Sequence, residues 1–457
     1  MTRTHPARIA SQAGSSFWYL AAFAALDVAV WMYLQVNGVN AISTTCLLLA
    51  ALTFVLGVRA SGRPTASVQS AALIVVGGQL VLRVLFPFRP GTFEVAPPGW
   101  LFQAIALLAL VVLGVGLLSA GRRDSRRFAA CLIGVALLGL VCRAAIVLVD
   151  LPPTFDVPLI QAAAAAAIRG GTDPYLTHIY DSGYPYLPVA AIGATLGSLF
   201  GDARWVMVAG DAMTLAGLLL IGRRLRLPDV VGATMAAVWA WWAGAMYVTW
   251  QGFPEPLLIG FLTLSVAALV GAPKHGVLGG VLLGLSVATK QFAIAMLPFL
   301  LLSRHGRRVF AVAVVTAAGL IIPFGLWHTG EFLEGTFWSQ LAEPGRPYSL
   351  NLLIWPSVRF DPPYLPILVA AVVAGWLVSR RVGQVDEDAG WLAGSATLLL
   401  IAFLANHIAF VNYYSIVMLV LLLLVLVLAA DAPDVARSDA PATSPTVRPH
   451  PYGSAHA

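Results

Sequence analysis

The residues able to do chemistry in this 457-residue chain are few, and they collect in two polar stretches between long apolar runs. The first reads LPPTFDVPLIQAAAAAAIRGGTDPYLTHIYDSGYPYLP, from Leu151 to Pro188. Pro152 and Pro153 end whatever helix precedes them, a run of six alanines builds the next, and Gly170 with Gly171 stops it, so a surface helix over Val157–Arg169 is predicted with Asp156 at its start. A carboxylate there has two uses. It can cap the helix amides, or it can take the proton of an attacking hydroxyl held within about 2.6–3.2 Å. Asp150 is a competing carboxylate whose simplest role is an end-cap. Asp173, before Pro174, either starts a turn or touches a substrate.

The second stretch, Thr329–Pro362, with its flanks reads WHTGEFLEGTFWSQLAEPGRPYSLNLLIWP and brings His328, Arg346, Tyr348 and Asn351. A guanidinium offers a planar, permanently charged fork for phosphate oxygens, so Arg346 and His328 are candidates for holding a phosphate. The bland alternative makes Trp338, Trp355 and Tyr348 an interfacial belt, with Arg346 meeting lipid headgroups. Lys290 is one of only two lysines and interrupts the apolar run GLSVATKQFAIAMLPFLLL. Placing it in lipid costs ~2.5–3.5 kcal/mol, which demands either a phosphate or a structural partner, and Glu255 in WQGFPEP is the candidate partner. Asp27, Arg143 and Asp211 also fall within apolar runs and should face the bundle interior. For Arg143, snorkelling toward headgroups and an ion pair are both open.

The elements that must position these groups are membrane helices. Hydrophobic residues make up 59% of the chain and charged ones 11%, with a mean hydropathy of +0.84, against roughly 25% charged residues in a soluble domain. The expected fold class is all-α, a polytopic transmembrane bundle. Hydropathy marks about fourteen spans, near 16–36, 41–60, 68–87, 100–120, 128–150, 185–200, 204–222, 228–248, 254–271, 276–303, 307–328, 363–379, 390–407 and 411–430. Arginine clusters at 59/63, 122–127, 304–308 and 380/381 mark cytoplasmic loops and put both polar stretches outside. Arg223, Arg224 and Arg226 disagree if 185–200 and 204–222 both cross, and the same topology puts Glu255 near the cytoplasm. A three-part organisation is expected: a four-span extension over 1–127, a transmembrane domain over 128–430 that carries both polar stretches, and a disordered tail over 431–457. The charge of +6 is scattered at the ends of apolar runs, which does not suggest nucleic acid. Cys46, Cys131 and Cys142 lie within spans and offer neither a disulfide framework nor a zinc spacing. No cofactor is expected, a divalent metal being left open.

The order of elements resembles a known family. An Asp just past a membrane helix, a surface helix, G-x-D-P-Y, then a Tyr-Pro pair opening the next span is similar to the polyprenyl-phosphate-sugar-dependent glycosyltransferases of GT-C fold, especially their bacterial integral-membrane mannosyltransferase branch. The matching residues are Asp156, Gly171, Asp173, Pro174, Tyr175, Tyr184, Pro185 and Pro188, with Lys290 and the Asn412–Tyr413–Tyr414 element further on. The resemblance implies an inverting membrane mannosyltransferase of the plasma membrane, with Asp156 as general base and its site on the extracytoplasmic side. Its partners would be a polyprenyl-phosphate sugar donor, a cell-envelope glycolipid or polysaccharide acceptor and membrane lipid. Substrate contacts are expected from Asp173, Tyr175, Tyr184, Lys290, His328, Arg346, Asn351, His407, Asn412 and Tyr413. A transporter or lipid flippase using the same buried charges as a pathway is the alternative.

Overall fold

The computed structural model describes residues 5–36, 40–60, 76–77, 80, 107–111, 114, 125–150, 153, 156–178, 183–271, 275–303, 306–339, 349–352, 354–355, 358–359, 364–405 and 409–430. The expected spans at 68–87 and 100–120 fall almost wholly outside these residues, and the tail over 431–457 falls outside altogether. Sixteen helices are described: α1 His5–Val36, α2 Ala41–Arg59, α3 Ser125–Leu148, α4 Val157–Arg169, α5 Pro188–Ser198, α6 Trp205–Arg224, α7 Asp229–Trp241, α8 Ala243–Trp250, α9 Glu255–Leu269, α10 Gly276–Val287, α11 Leu297–Leu300, α12 Gly306–Trp327, α13 Thr329–Leu333, α14 Tyr364–Gly383, α15 Glu387–Leu404 and α16 Val411–Ala430. The only strands among the described residues are Ile354–Trp355 and Val358–Arg359, paired antiparallel.

Eight of these helices are long and apolar enough to cross a membrane, and the pair α7–α8, bent by 52° at Trp242, raises the number to nine. The fourteen-span expectation is not met among the described residues. Helix α5, over the expected span 185–200, has 11 residues, so at ~1.5 Å per residue it falls well short of a ~30 Å hydrocarbon layer. The apolar run 276–303 is not one span either. Gly280 of α10 packs on Val312 of α12, and Gly284 on Thr316, so these helices run parallel. The chain between them must therefore turn back, and it does so at Lys290, through a 3-10 segment, Gln291–Met296, and the short α11.

The same close approaches give the orientation of the bundle. Gly210 of α6 meets Pro256 of α9, and Gly217 meets Thr263, so α6 and α9 are also parallel and Arg223–Arg224 lie at the end where α9 finishes. A small cavity of about 130 Å³ joins Arg126, Arg223 and Asp229 at that end. Helix α12 starts with Arg307 and Arg308 beside the start of α10. Because α5 does not cross, the Arg223 cluster joins the other arginines at one end, and Glu255 belongs to the opposite one. Helix α16 is the mast of the bundle, with 89% of its apolar window buried, whereas α12 and α14, at 17% and 22%, turn most of their side chains outward. Outward Val315, Leu326 and Leu365 suit a lipid-facing surface.

Candidate active site

Helix α4 forms over the residues predicted for it, and Asp156 stands at its N-cap position. The carboxylate makes no hydrogen bond to the helix amides and is exposed. Pro158, at the second position of α4, needs no amide partner, which reduces what a cap would satisfy. Asp150 is differently placed. Its Oδ1 lies 2.5 Å from the Arg204 guanidinium, which also pairs with Asp202 at 2.6 Å. Arg204 is itself buried, at the start of α6, and Gly252 packs against both Arg204 and Pro158, so the base of α4 is fixed to the α8–α9 turn. Of the two carboxylates weighed for the role of base, Asp150 is thus engaged and Asp156 is not.

Beyond α4, Asp173 accepts the Tyr175 N–H at 3.0 Å through Oδ1, starting a 3-10 turn as its place before proline suggested. Its Oδ2 lies 2.9 Å from Nδ1 of His328, at the junction of α12 and α13. The two residues are 155 positions apart in sequence. Asp173 is fully buried, while the His328 side chain is 40% exposed, so His328 is the accessible member of the pair. The Tyr175 hydroxyl donates to the carbonyl of Tyr186 at 2.9 Å, and the Tyr184 hydroxyl donates to Oε1 of Gln161 on α4 at 2.8 Å. Burial, with the Asp173 charge adding to it, holds the Tyr175 phenol well above its ordinary pKa, and burial does the same for Tyr184. Both therefore stay protonated donors.

Lys290 answers the cost of its burial with a carboxylate and three rings. Its ammonium donates to Oε1 of Glu255 at 2.5 Å and stands 5.2, 4.9 and 4.8 Å from the ring centres of Tyr186, Phe292 and Tyr413. The Asn412 amide donates to the same Glu255 oxygen at 2.6 Å. This joins the α8–α9 turn, the chain reversal at Lys290 and the head of α16, so Glu255 sits with the Asn412–Tyr413 element and not near the arginine end. The expected position of Glu255 near the cytoplasm is thereby corrected, since the 11-residue α5 is too short to be the crossing on which it depended. Glu255 Oε2 and Asn412 Oδ1 are buried without a hydrogen-bond partner. Two acceptors so placed would take hydrogens from hydroxyl groups of a ligand.

An aromatic row connects the two clusters. Phe332 of α13 packs edge-on to Tyr175 at 4.7 Å, Tyr175 to Tyr184 at 5.7 Å and Tyr184 to Tyr186 at 5.5 Å, and Tyr186 faces Lys290. Asp156, Asp173, His328, Lys290, Asn412 and Tyr413 thus share one end of the bundle. Asn351 is buried nearby, where the Leu350 and Leu352 N–H groups donate to the carbonyls of Ala409, ahead of α16, and Leu404, at the C-terminal end of α15. Arg346 and His407 lie outside the described residues. Arg143 pairs with Asp211 at 3.0 Å, fully buried, and donates to the carbonyls of Ala240 and Trp239, so it is a structural ion pair and does not snorkel. Gln161 and Tyr186 were not singled out from sequence. The signal for Gln161 was a lone amide ahead of six alanines.

Residues 184–406 match the model of glycosyltransferase family 87. On a chain built of apolar helices, the match is that of a membrane glycosyltransferase, consistent with the GT-C type. It spans Tyr184, Glu255, Lys290, His328, Arg346 and Asn351, and it leaves Asp156, Asp173 and the Asn412–Tyr413 element outside. No curated protein and no solved structure matches significantly. Among the described residues, no three His, Cys, Asp or Glu side chains converge as ligands of a metal ion.

Proposed function

We propose that this membrane glycosyltransferase moves a sugar, with mannose the first candidate, from a polyprenyl-phosphate carrier to a hydroxyl of an extracytoplasmic cell-envelope acceptor, with inversion. The observation that carries the reading is Asp156, an exposed carboxylate that heads a helix whose amides it does not cap, at the polar end of the bundle. Asp156 takes the acceptor's proton as the hydroxyl oxygen attacks the anomeric carbon. The bond from that carbon to the phosphate oxygen breaks, and the phosphate leaves with the electron pair. A phosphate is already a good leaving group, so a single carboxylate suffices where glycoside hydrolysis needs two.

His328 is the described candidate for meeting the departing phosphate, with Arg346 as its expected companion. Glu255 and Asn412 supply the acceptors for sugar hydroxyls, beside rings on which a sugar face can rest. Arginines concentrated at the opposite end favour a cytoplasmic position for that end and hence an outward-facing site. No glycine-rich nucleotide loop is visible in the sequence, in keeping with a lipid-linked donor. The family match favours the enzyme over the transporter alternative.

The test is transfer from labelled polyprenyl-phosphate mannose in membranes carrying the full chain. Asp156→Ala should abolish transfer and Asp150→Ala should keep it. Full transfer by Asp156→Ala would remove the base from the mechanism, and transfer from a nucleotide sugar alone would remove the donor.

A further inference from the structure

We propose that Asp173, expected from sequence to touch substrate, is instead a positioning residue that acts through His328, fixing the imidazole so that Nδ1 points into the protein and Nε2 toward the departing phosphate. The inference rests on the reading of His328 as a phosphate contact. Both oxygens of the buried Asp173 carboxylate are occupied, one by the Tyr175 N–H and the other by His328 Nδ1. An ionised carboxylate can only accept hydrogen bonds, so the hydrogen between the pair resides on Nδ1. The exposed nitrogen is then Nε2, and a protonated ring offers its second N–H there, with the Asp173 charge behind it. This is the general use of a buried carboxylate to set the tautomer and direction of a working histidine.

Asp173 is well held for that task. Pro174 follows it, and Tyr175 is packed among Tyr184, Phe324 and Phe332 while its hydroxyl is bonded to the Tyr186 carbonyl. The carboxylate cannot turn without giving up the Tyr175 N–H at the start of the 3-10 turn. The imidazole, by contrast, sits at a helix junction and makes no side-chain cap bond to α13, so its direction rests on the bond to Asp173. A ring free to rotate about its side chain would meet a phosphate in only part of its orientations, and the bond to Asp173 removes that freedom.

Two substitutions separate the turn from the histidine. Asp173→Ser keeps an oxygen for the Tyr175 N–H but is too short to reach His328. Asp173→Asn keeps the turn oxygen and presents an N–H₂ to Nδ1, so it holds the ring in the same direction with its hydrogen on Nε2 and removes only the charge behind it. The measurement is the affinity of the purified full-length protein for polyprenyl phosphate in detergent micelles, with thermal melts recorded on the same samples. D173S and H328A are each expected to weaken binding by about tenfold with unchanged melts, D173N, which keeps the ring's direction, to weaken it less, and D173S/H328A to be no weaker than H328A, because residues acting as one unit are not additive. Additive loss in the double variant, or loss that tracks a lowered melt, makes Asp173 merely structural and overturns the inference. Weakening by H328A but not by D173S overturns it while leaving the donor reading intact. A wild-type protein that does not bind polyprenyl phosphate, or an H328A variant that binds it normally, overturns the phosphate reading and this inference together.

Discussion

Replacing Lys290 by methionine should destabilise the protein more than replacing Glu255 by glutamine, although both break the same ion pair. Removing one partner of a buried pair typically costs ~3–5 kcal/mol, because the other charge is stranded out of water. Lys290→Met strands a carboxylate that is 1% exposed and retains only the Asn412 amide, with Oε2 already lacking a partner. Glu255→Gln strands an ammonium that still faces three aromatic rings within about 5 Å. Each such contact gives ~0.5–2 kcal/mol when desolvated, so two or three of them offset roughly half of the loss. We therefore expect about 3–5 kcal/mol for K290M, about 1–3 kcal/mol for E255Q, and a double variant within about 1 kcal/mol of E255Q, since no lone charge then remains. The assay is denaturant unfolding in mild detergent, followed by far-UV circular dichroism, for all four proteins of the cycle. Equal losses for the two single variants would refute the role of the rings. Strict additivity in the double variant would refute the pairing itself.

Other consequences are simpler to read. A Cβ added at Gly210 would sit 2.4 Å from the backbone of Pro256, whereas one added at Gly319 meets nothing within 4 Å. Gly210→Ala should cost ~1–3 kcal/mol and Gly319→Ala no more than about 0.5 kcal/mol, measured as unfolding midpoints. The Asp150 carboxylate is 84% exposed despite its contact with Arg204, so Asp150→Ala should lower stability by less than about 1 kcal/mol. Tyr175 and Tyr184 are protonated in the fold but ionise near pH 10 once unfolded, so their contribution is complete below that pH and is lost as pH rises above it. Melting temperature should accordingly fall above about pH 10, and less steeply in Tyr175→Phe/Tyr184→Phe; an equally steep fall in that variant would locate the alkaline sensitivity elsewhere.

Much of the helical chemistry was readable from the chain. Six alanines bounded by prolines and glycines specify α4 because propensity and punctuation act within a few residues, and the helix runs over Val157–Arg169 as expected. A lysine amid apolar residues likewise announced that a partner must exist, since an unpaired charge in lipid is expensive. Where the reading failed, the quantity needed was not local. Hydropathy over 276–303 is high throughout, and averaging cannot show that the backbone reverses at Lys290. The same averaging admitted α5 as a crossing, which inverted the direction of every nearby segment and placed Glu255 at the wrong end.

The amino-acid sequence by itself determined that this chain lives in lipid as helices, where the candidate base stands and which charges require company, because composition, propensity and desolvation cost are properties of short stretches. Which charge answers which was settled only in three dimensions. His328 meets Asp173 across 155 residues, and Glu255 receives Lys290 and Asn412 from two other elements. Those pairings follow from the directions in which helices run and from the glycines that let them touch, and neither is encoded in the residues of any one segment.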